Sequence, residues 1–245
     1  GAAGITLNAS SLPTGYNYAL SSTSSGVSLA VTAGPSGNLY WVGDVNRSWN
    51  AGAGTTNTNW ATDTAGTTDS QFAPNVSNTV NFSASNAGAA AITTTLDQNF
   101  TVAGLNFLNS STGAVTINQG AFGALTIGTG GITFVASSPG ATINAPIVLG
   151  GIQTWTVGAG QTLAVHNGSP VNGTISGNSY ALTLAGAGTV TLGGYNTFNG
   201  GLTTSSTGTL NINNGGISGA SALGTGTVTI AGGTGVSTST SGTVV

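Results

Sequence analysis

The sequence contains no cysteine, methionine, lysine or glutamate, and one arginine and one histidine in 245 residues. Charged residues make up 2% of the chain, where an ordinary soluble domain carries about 25%. The whole charged set is Asp44, Arg47, Asp63, Asp69 and Asp97, with His166 the one further titratable base. Each absence excludes something. Without cysteine there is no disulfide or thiolate chemistry. A single arginine cannot neutralise a run of phosphates, which argues against nucleic acid as a partner. No basic stretch is available to hold an anionic membrane surface. No apolar run approaches the roughly 18 to 20 residues of a membrane helix, so no membrane insertion is expected of this chain. The opening Gly1-Ala2-Ala3-Gly4 has neither an initiator methionine nor a basic stretch, as expected of a mature chain or a fragment of a longer one.

What is present is apolar and strand-forming. Hydrophobic residues make up 38% and glycine contributes 42 residues. A disordered chain usually combines low hydrophobicity with high net charge; here the net charge is −3 and the apolar residues recur at regular intervals. Apolar spacing of three and four is absent, and glycine interrupts almost every window, so helices are not expected. Short alternating segments recur instead: Val115-Thr116-Ile117, Leu125-Thr126-Ile127, Ile132-Thr133-Phe134 and Thr154-Trp155-Thr156-Val157, then Leu182-Thr183-Leu184, Val190-Thr191-Leu192, Leu210-Asn211-Ile212 and Val228-Thr229-Ile230. Period two sends the apolar side chains to one face and Thr or Asn to the other. Between them lie turn residues such as Gly130-Gly131, Asn167-Gly168, Asn214-Gly215-Gly216 and Gly232-Gly233. A weak repeat of about twenty residues per pair of strands points to a coiled solenoid rather than a sandwich. Its inward Val, Ile and Leu would stack into a continuous ladder.

The organisation divides into three. Residues 1–37 hold Leu29-Ala30-Val31 and Gly15-Tyr16-Asn17-Tyr18 and form a β segment that can join to a preceding module. Residues 38–90 are rich in tryptophan (Trp41, Trp49 and Trp60) and hold every charged residue except Asp97, as a cap or opening region. Residues 91–245 carry the regular rungs and end in a strand-like segment.

Several elements in order carry a family resemblance: Tyr40-Trp41-Val42-Gly43, Ser48-Trp49-Asn50 and Thr58-Asn59-Trp60; then Thr94-Thr95-Leu96-Asp97 and Val102-Ala103-Gly104-Leu105-Asn106-Phe107; then Ala145-Pro146-Ile147-Val148-Leu149-Gly150-Gly151 leading into Gln153-Thr154-Trp155. The most specific is Gly188-Thr189-Val190-Thr191-Leu192 followed by Tyr195-Asn196-Thr197-Phe198-Asn199-Gly200-Gly201, with Ala222-Leu223-Gly224-Thr225-Gly226-Thr227-Val228-Thr229 after it. Over about residues 38–232 the chain resembles bacterial proteins with autotransporter-associated β-strand repeats. The resemblance implies an all-β fold, a right-handed parallel β-helix, in a large secreted or cell-surface passenger. The chain departs from the complete form of that pattern in having no membrane-barrel segment.

Enzymatic readings fare poorly. A β-helix lyase needs a base and acidic side chains holding calcium, yet after Asp97 there is no carboxylate side chain and no base but His166. Paired-carboxylate glycoside hydrolysis has no residues to use on the regular rungs. His166, in Val165-His166-Asn167-Gly168, is expected to be a solvent-facing turn residue rather than part of a triad. Gly128-Thr129-Gly130-Gly131 is a turn, since no lysine or helix follows it. No catalytic residue, metal ligand or cofactor is expected. A ligand site is arguable only where Asp44, Asp63 and Asp69 lie near Trp41, Trp49 and Trp60, which together could grip an extracellular carbohydrate. The competing reading buries the tryptophans in a cap core and uses the aspartates to close turns.

A surface nearly free of charge offers little repulsion between copies. The final segment, with Val236, Thr238, Thr240, Val244 and Val245, has no charge or proline to blunt a strand edge. The sequence is therefore expected to be an extracellular or cell-surface structural subunit or module that pairs with itself end to end. The alternative is a monomeric adhesin binding carbohydrate through the tryptophan-rich region.

Overall fold

A computed structural model describes residues 12, 15–55, 57–87, 90–108, 113–166, 174–205, 207–213 and 221–238. The hairpin strands β1 (Tyr16–Thr23) and β2 (Gly26–Ala33) come first, followed by β3 (Gly37–Trp41), the two-residue β4 (Trp60–Ala61) and β5 (Asn78–Phe82). Strands then follow in close succession: β6 (Ile92–Leu96), β7 (Phe100–Phe107), β8 (Val115–Gln119), β9 (Leu125–Phe134), β10 (Ala141–Ile143), β11 (Ile147–Leu149), β12 (Gln153–Thr156) and β13 (Thr162–Val165). The series ends with β14 (Ile175–Ser176), β15 (Leu182–Ala185), β16 (Thr189–Leu192), β17 (Leu202–Thr204), β18 (Thr209–Ile212), β19 (Val228–Ile230) and β20 (Gly235–Thr238).

The fold is an all-β parallel solenoid with no helix among the described residues. One wall is a seven-stranded parallel sheet running from β6 to β20; the other is an eleven-stranded sheet running from β4 and β3 to β19. The chain returns to the same place after 20 residues from Leu182 to Leu202, and after 29 from Gln153 to Leu182. The strand from Gly37 is not covered by its successor until Asn78, 41 residues on. That long circuit holds the tryptophan-rich excursion.

The alternation predicted from the sequence sets the interior. In β6, Ile92, Thr94 and Leu96 are buried while Thr93 and Thr95 face outward. Register then stacks like on like. Leu39, Val80, Leu105, Ile132, Trp155 and Leu184 form a single column up the eleven-stranded wall. A second column, Ile92–Val115–Ala141–Leu163–Val190–Leu210, climbs the other wall. Burying each such side chain is worth roughly 1.5–3 kcal/mol, repeated turn after turn. The alternate positions stack as well: Thr93, Thr116 and Thr142 form a polar column on the outer face, which continues through the buried Ala164 and Thr191 to Asn211 and Ser237. Asparagines stack similarly: the Asn106 amide donates to Asn81 at 3.0 Å, and the Asn144 amide to Asn118 at 2.9 Å.

Two sequence expectations change. Gly128-Thr129-Gly130-Gly131 is not a connecting turn but a bend inside β9. Its first half, Leu125–Ile127, pairs with Phe100–Val102, and its second half, from Gly131, pairs with Gly104–Phe107. Gly131 sits at φ 62°, where an added Cβ would lie 2.1 Å from the Thr154 carbonyl oxygen; glycine is required there because both conformation and space demand it. His166 is buried rather than solvent-facing. Its backbone N–H extends the strand ladder to the Ile143 carbonyl at 2.9 Å, which carries the ring inward onto Ala145.

Within the most specific motif, Asn196 is a clip between turns. Its side-chain oxygen accepts from the Ile175 N–H at 2.7 Å, and its amide donates to the Ala222 carbonyl at 2.7 Å. Phe198, two residues on, is fully buried. The predicted turns at Asn167-Gly168 and Asn214-Gly215-Gly216 lie outside the described residues.

Candidate functional site

The tryptophan-rich end begins where β3 pairs antiparallel with β4, setting Trp41 opposite Trp60. Trp41 and Trp60 meet edge to face with centroids 5.0 Å apart, and Trp49 and Trp60 do the same at 5.2 Å. Phe82 lies 6.0 Å from Trp49 and 6.1 Å from Trp41, and Phe100 lies 5.3 Å from Trp49. Each edge-to-face pair is worth about 0.5–1.5 kcal/mol beyond its area. Both inner indoles find internal acceptors: Trp60 Nε1 donates to the Trp49 carbonyl at 2.9 Å, and Trp49 Nε1 to Thr94 Oγ1 at 3.0 Å. All three tryptophans are buried. Their rings pack against one another and against phenylalanine, away from solvent.

The same excursion covers the first edge of the seven-stranded wall. The Thr95 N–H donates to the Arg47 carbonyl at 2.7 Å, and the Trp49 N–H to the Thr95 carbonyl at 3.0 Å. Asn59, fully buried, ties the loop together. Its oxygen accepts from the Val45 and Asn46 N–H groups at 3.0 and 3.1 Å, and its amide donates to the Ser48 carbonyl at 2.7 Å.

The three aspartates do not converge on a site. Asp44 is exposed, as is Arg47. Asp69 accepts from the Thr58 and Gln71 N–H groups, both at 2.6 Å. Asp63 accepts from the Ala65 N–H at 3.0 Å and the Thr68 N–H at 2.6 Å. Partial desolvation pushes the Asp63 carboxyl up, but hydrogen bonds from Thr67 and Thr68 outweigh it and bring it down from 3.8 to about 2. Among the described residues no group of three His, Asp, Glu or Cys could hold a metal ion.

The hydrogen-bond partner of the His166 ring is a backbone carbonyl, not an aspartate. The ring Nε2 lies 2.7 Å from the Ala145 carbonyl and so carries the proton, while Nδ1 has no partner among the described residues. Burial pulls its pKa below 6.5 against the opposing pull of the Ala145 hydrogen bond.

The other end differs. β19 and β20 each pair on one side, with β17 and β18, and nothing among the described residues pairs with their outer edges. The apolar side chains of this last described turn are bare: Val228 is 37% exposed, Ile230 42% and Val236 46%. Their counterparts one turn earlier, Leu202, Thr204 and Leu210, are 0%, 3% and 1% exposed. Thr238 is exposed beside them; Thr240, Val244 and Val245 lie outside the described residues.

The sequence reading missed the shape of residues 16–33. Tyr16, Tyr18 and Leu20 of β1 stand opposite Ala33, Val31 and Leu29 of β2, which puts them on one face of the hairpin. The signal was legible as alternation on both sides of Ser24-Ser25. Comparisons of the chain with protein-family models, with curated proteins and with solved structures find no match.

Proposed function

We propose that this chain is a structural subunit or module of an extracellular or cell-surface fibre, assembled end to end by β-strand pairing and without a catalytic step. One observation carries the reading: among the described residues nothing pairs with the outer edges of β19 and β20, beside which Val228, Ile230 and Val236 are exposed. A strand edge beside uncovered apolar side chains is a template for another strand, and natural solenoids cover such ends. The charge-poor surface adds no repulsion between copies. The cell-surface setting, and membership of the autotransporter-associated repeat proteins, rest on the resemblance of the sequence motifs. The carbohydrate-binding alternative has less support, because the ring faces it would use are buried.

Electron microscopy of the protein at neutral pH tests the reading. Filaments with an axial repeat near one solenoid length are expected. Isolated rods at high concentration would overturn it.

A further inference from the structure

His166 is the one histidine of the chain and is only 2% exposed, in the middle of the solenoid. Two features of its setting are costly. Its Nδ1 is buried with no hydrogen-bond partner among the described residues, and a buried acceptor left unpaired costs free energy. Its backbone is held at φ 53°, in the left-handed region that is strained for a side chain of this size. Strain of this kind persists only where the surroundings enforce it.

The peptide unit between Val165 and His166 ties three turns together. Its N–H donates to the Ile143 carbonyl of the preceding turn, and its carbonyl accepts from the Gly193 N–H of the following one, both at 2.9 Å. The ring adds a third tie through Nε2 to the Ala145 carbonyl at 2.7 Å. Gly193 packs so closely that an added Cβ would lie 2.3 Å from the His166 carbonyl oxygen, so the turns have no slack here. Ring and peptide are joined through the one strained torsion. With the ring bonded to Ala145 the strain is held; with the ring gone, the backbone is free to relax and to rotate the peptide out of the ladder.

A proton removes that hold. The neutral ring needs one acceptor and has one. The charged ring carries a second N–H, at Nδ1, and a positive charge, neither with a buried partner. β13 lies between β10 and β16, and these strands, with the corners at 144–146 and 193–195, contain no titratable side chain except Tyr195. Residues 98–245 hold no Asp, Glu, Lys or Arg at all, and only Tyr180 besides, so no carboxylate side chain of the rungs takes up the charge. Burial already holds the His166 pKa below its ordinary value. The ring therefore accepts a proton by leaving.

We infer that His166 is a proton-operated latch. Neutral, it locks the turns of Ile143, His166 and Gly193 in register; in acid its charged ring swings to water, releases the Val165–His166 peptide and opens this one rung while the turns on either side stay closed. The latch goes beyond the fibre reading and stands whether or not copies join.

Selective labelling tests it, because a single histidine gives a single set of ring signals. Chains with ¹⁵N-histidine are followed by nuclear magnetic resonance from pH 7 to 5, in solution or, for filaments, by magic-angle spinning. A Nε2–H ring is expected at pH 7, replaced in slow exchange by a charged, solvent-like ring as pH falls. Hydrogen exchange at the His166 and Gly193 amides, corrected for its intrinsic pH dependence, should rise about tenfold per pH unit below the ordinary histidine pKa, since opening takes up one proton. The amides of β5 and β7 should not change. His166→Gln, with the circular dichroism of the wild type, should show no such rise. A ring that titrates in fast exchange while both amides stay protected would overturn the latch, as would the same acid acceleration in His166→Gln.

Discussion

The first and last described turns of the solenoid are finished in opposite ways. At the β3–β4 end a long circuit is spent on closure: Trp41, Trp49 and Trp60 plug the core, Asn59 ties the loop, and Asp63 and Asp69 hold its turns. At the β19–β20 end the last described rung has the same composition as the rungs beneath it, and its inward residues are bare. Closing a solenoid end takes side chains that regular rungs do not supply: large aromatics to cover area, and short polar groups to satisfy backbone N–H groups that no next strand will meet. The position of these residue types separates the sealed β3–β4 turn from the regular rung at β19–β20.

The largest effect should come from breaking the seal. Trp60→Ala removes a fully buried ring that contacts Trp41 and Trp49 and donates to the Trp49 carbonyl. A loss of about 3–5 kcal/mol is expected, read as a lower denaturant midpoint. An unchanged midpoint would mean that the aromatic cluster does not hold this end closed.

A matched pair sharpens the contrast along one column. Val236 stacks directly above Leu210. Leu210→Ala empties a site closed on all sides and should cost about 2–5 kcal/mol. Val236→Ala should cost within about 0.5 kcal/mol in the isolated chain, as surface substitutions usually do, yet should weaken self-association measured by sedimentation. Equal losses of stability would show that the last rung is covered within a single chain.

Much of this fold was legible because period-two alternation and Gly-rich corners leave direct marks in sequence: Leu182-Thr183-Leu184 could pack in only one orientation if its leucines were to be buried. The closure was less legible. Trp41, Trp49 and Trp60 left a sugar platform open beside the favoured plug, because composition alone does not say which way a ring faces. His166 was misread because a neighbouring Asn-Gly suggests a turn, whereas burial is decided by the ladder bond to Ile143 and the approach of Ala145, both distant in sequence. The hairpin was missed because Leu29-Ala30-Val31 was weighed without its partner strand, and amphipathic character belongs to the pair.

Acid should distinguish the regular part from the opening part, with the smallest effects of all. Burial lowers the pKa of His166, so the unfolded chain takes up a proton more readily than the folded one. The stability contributed by a neutral His166 is complete above 6.5 and is lost as pH falls below it. Asp63 has the same sign in a lower window: its contribution is complete above 3.8 and is lost as pH falls towards about 2. Denaturation midpoints measured from pH 7 to 5 should therefore fall in the wild-type chain and flatten in His166→Gln, while Asp63→Asn should follow the wild type over that range. If Asp63→Asn alone flattened the profile above pH 5, the acid-sensitive site would lie in the closed end instead of among the rungs.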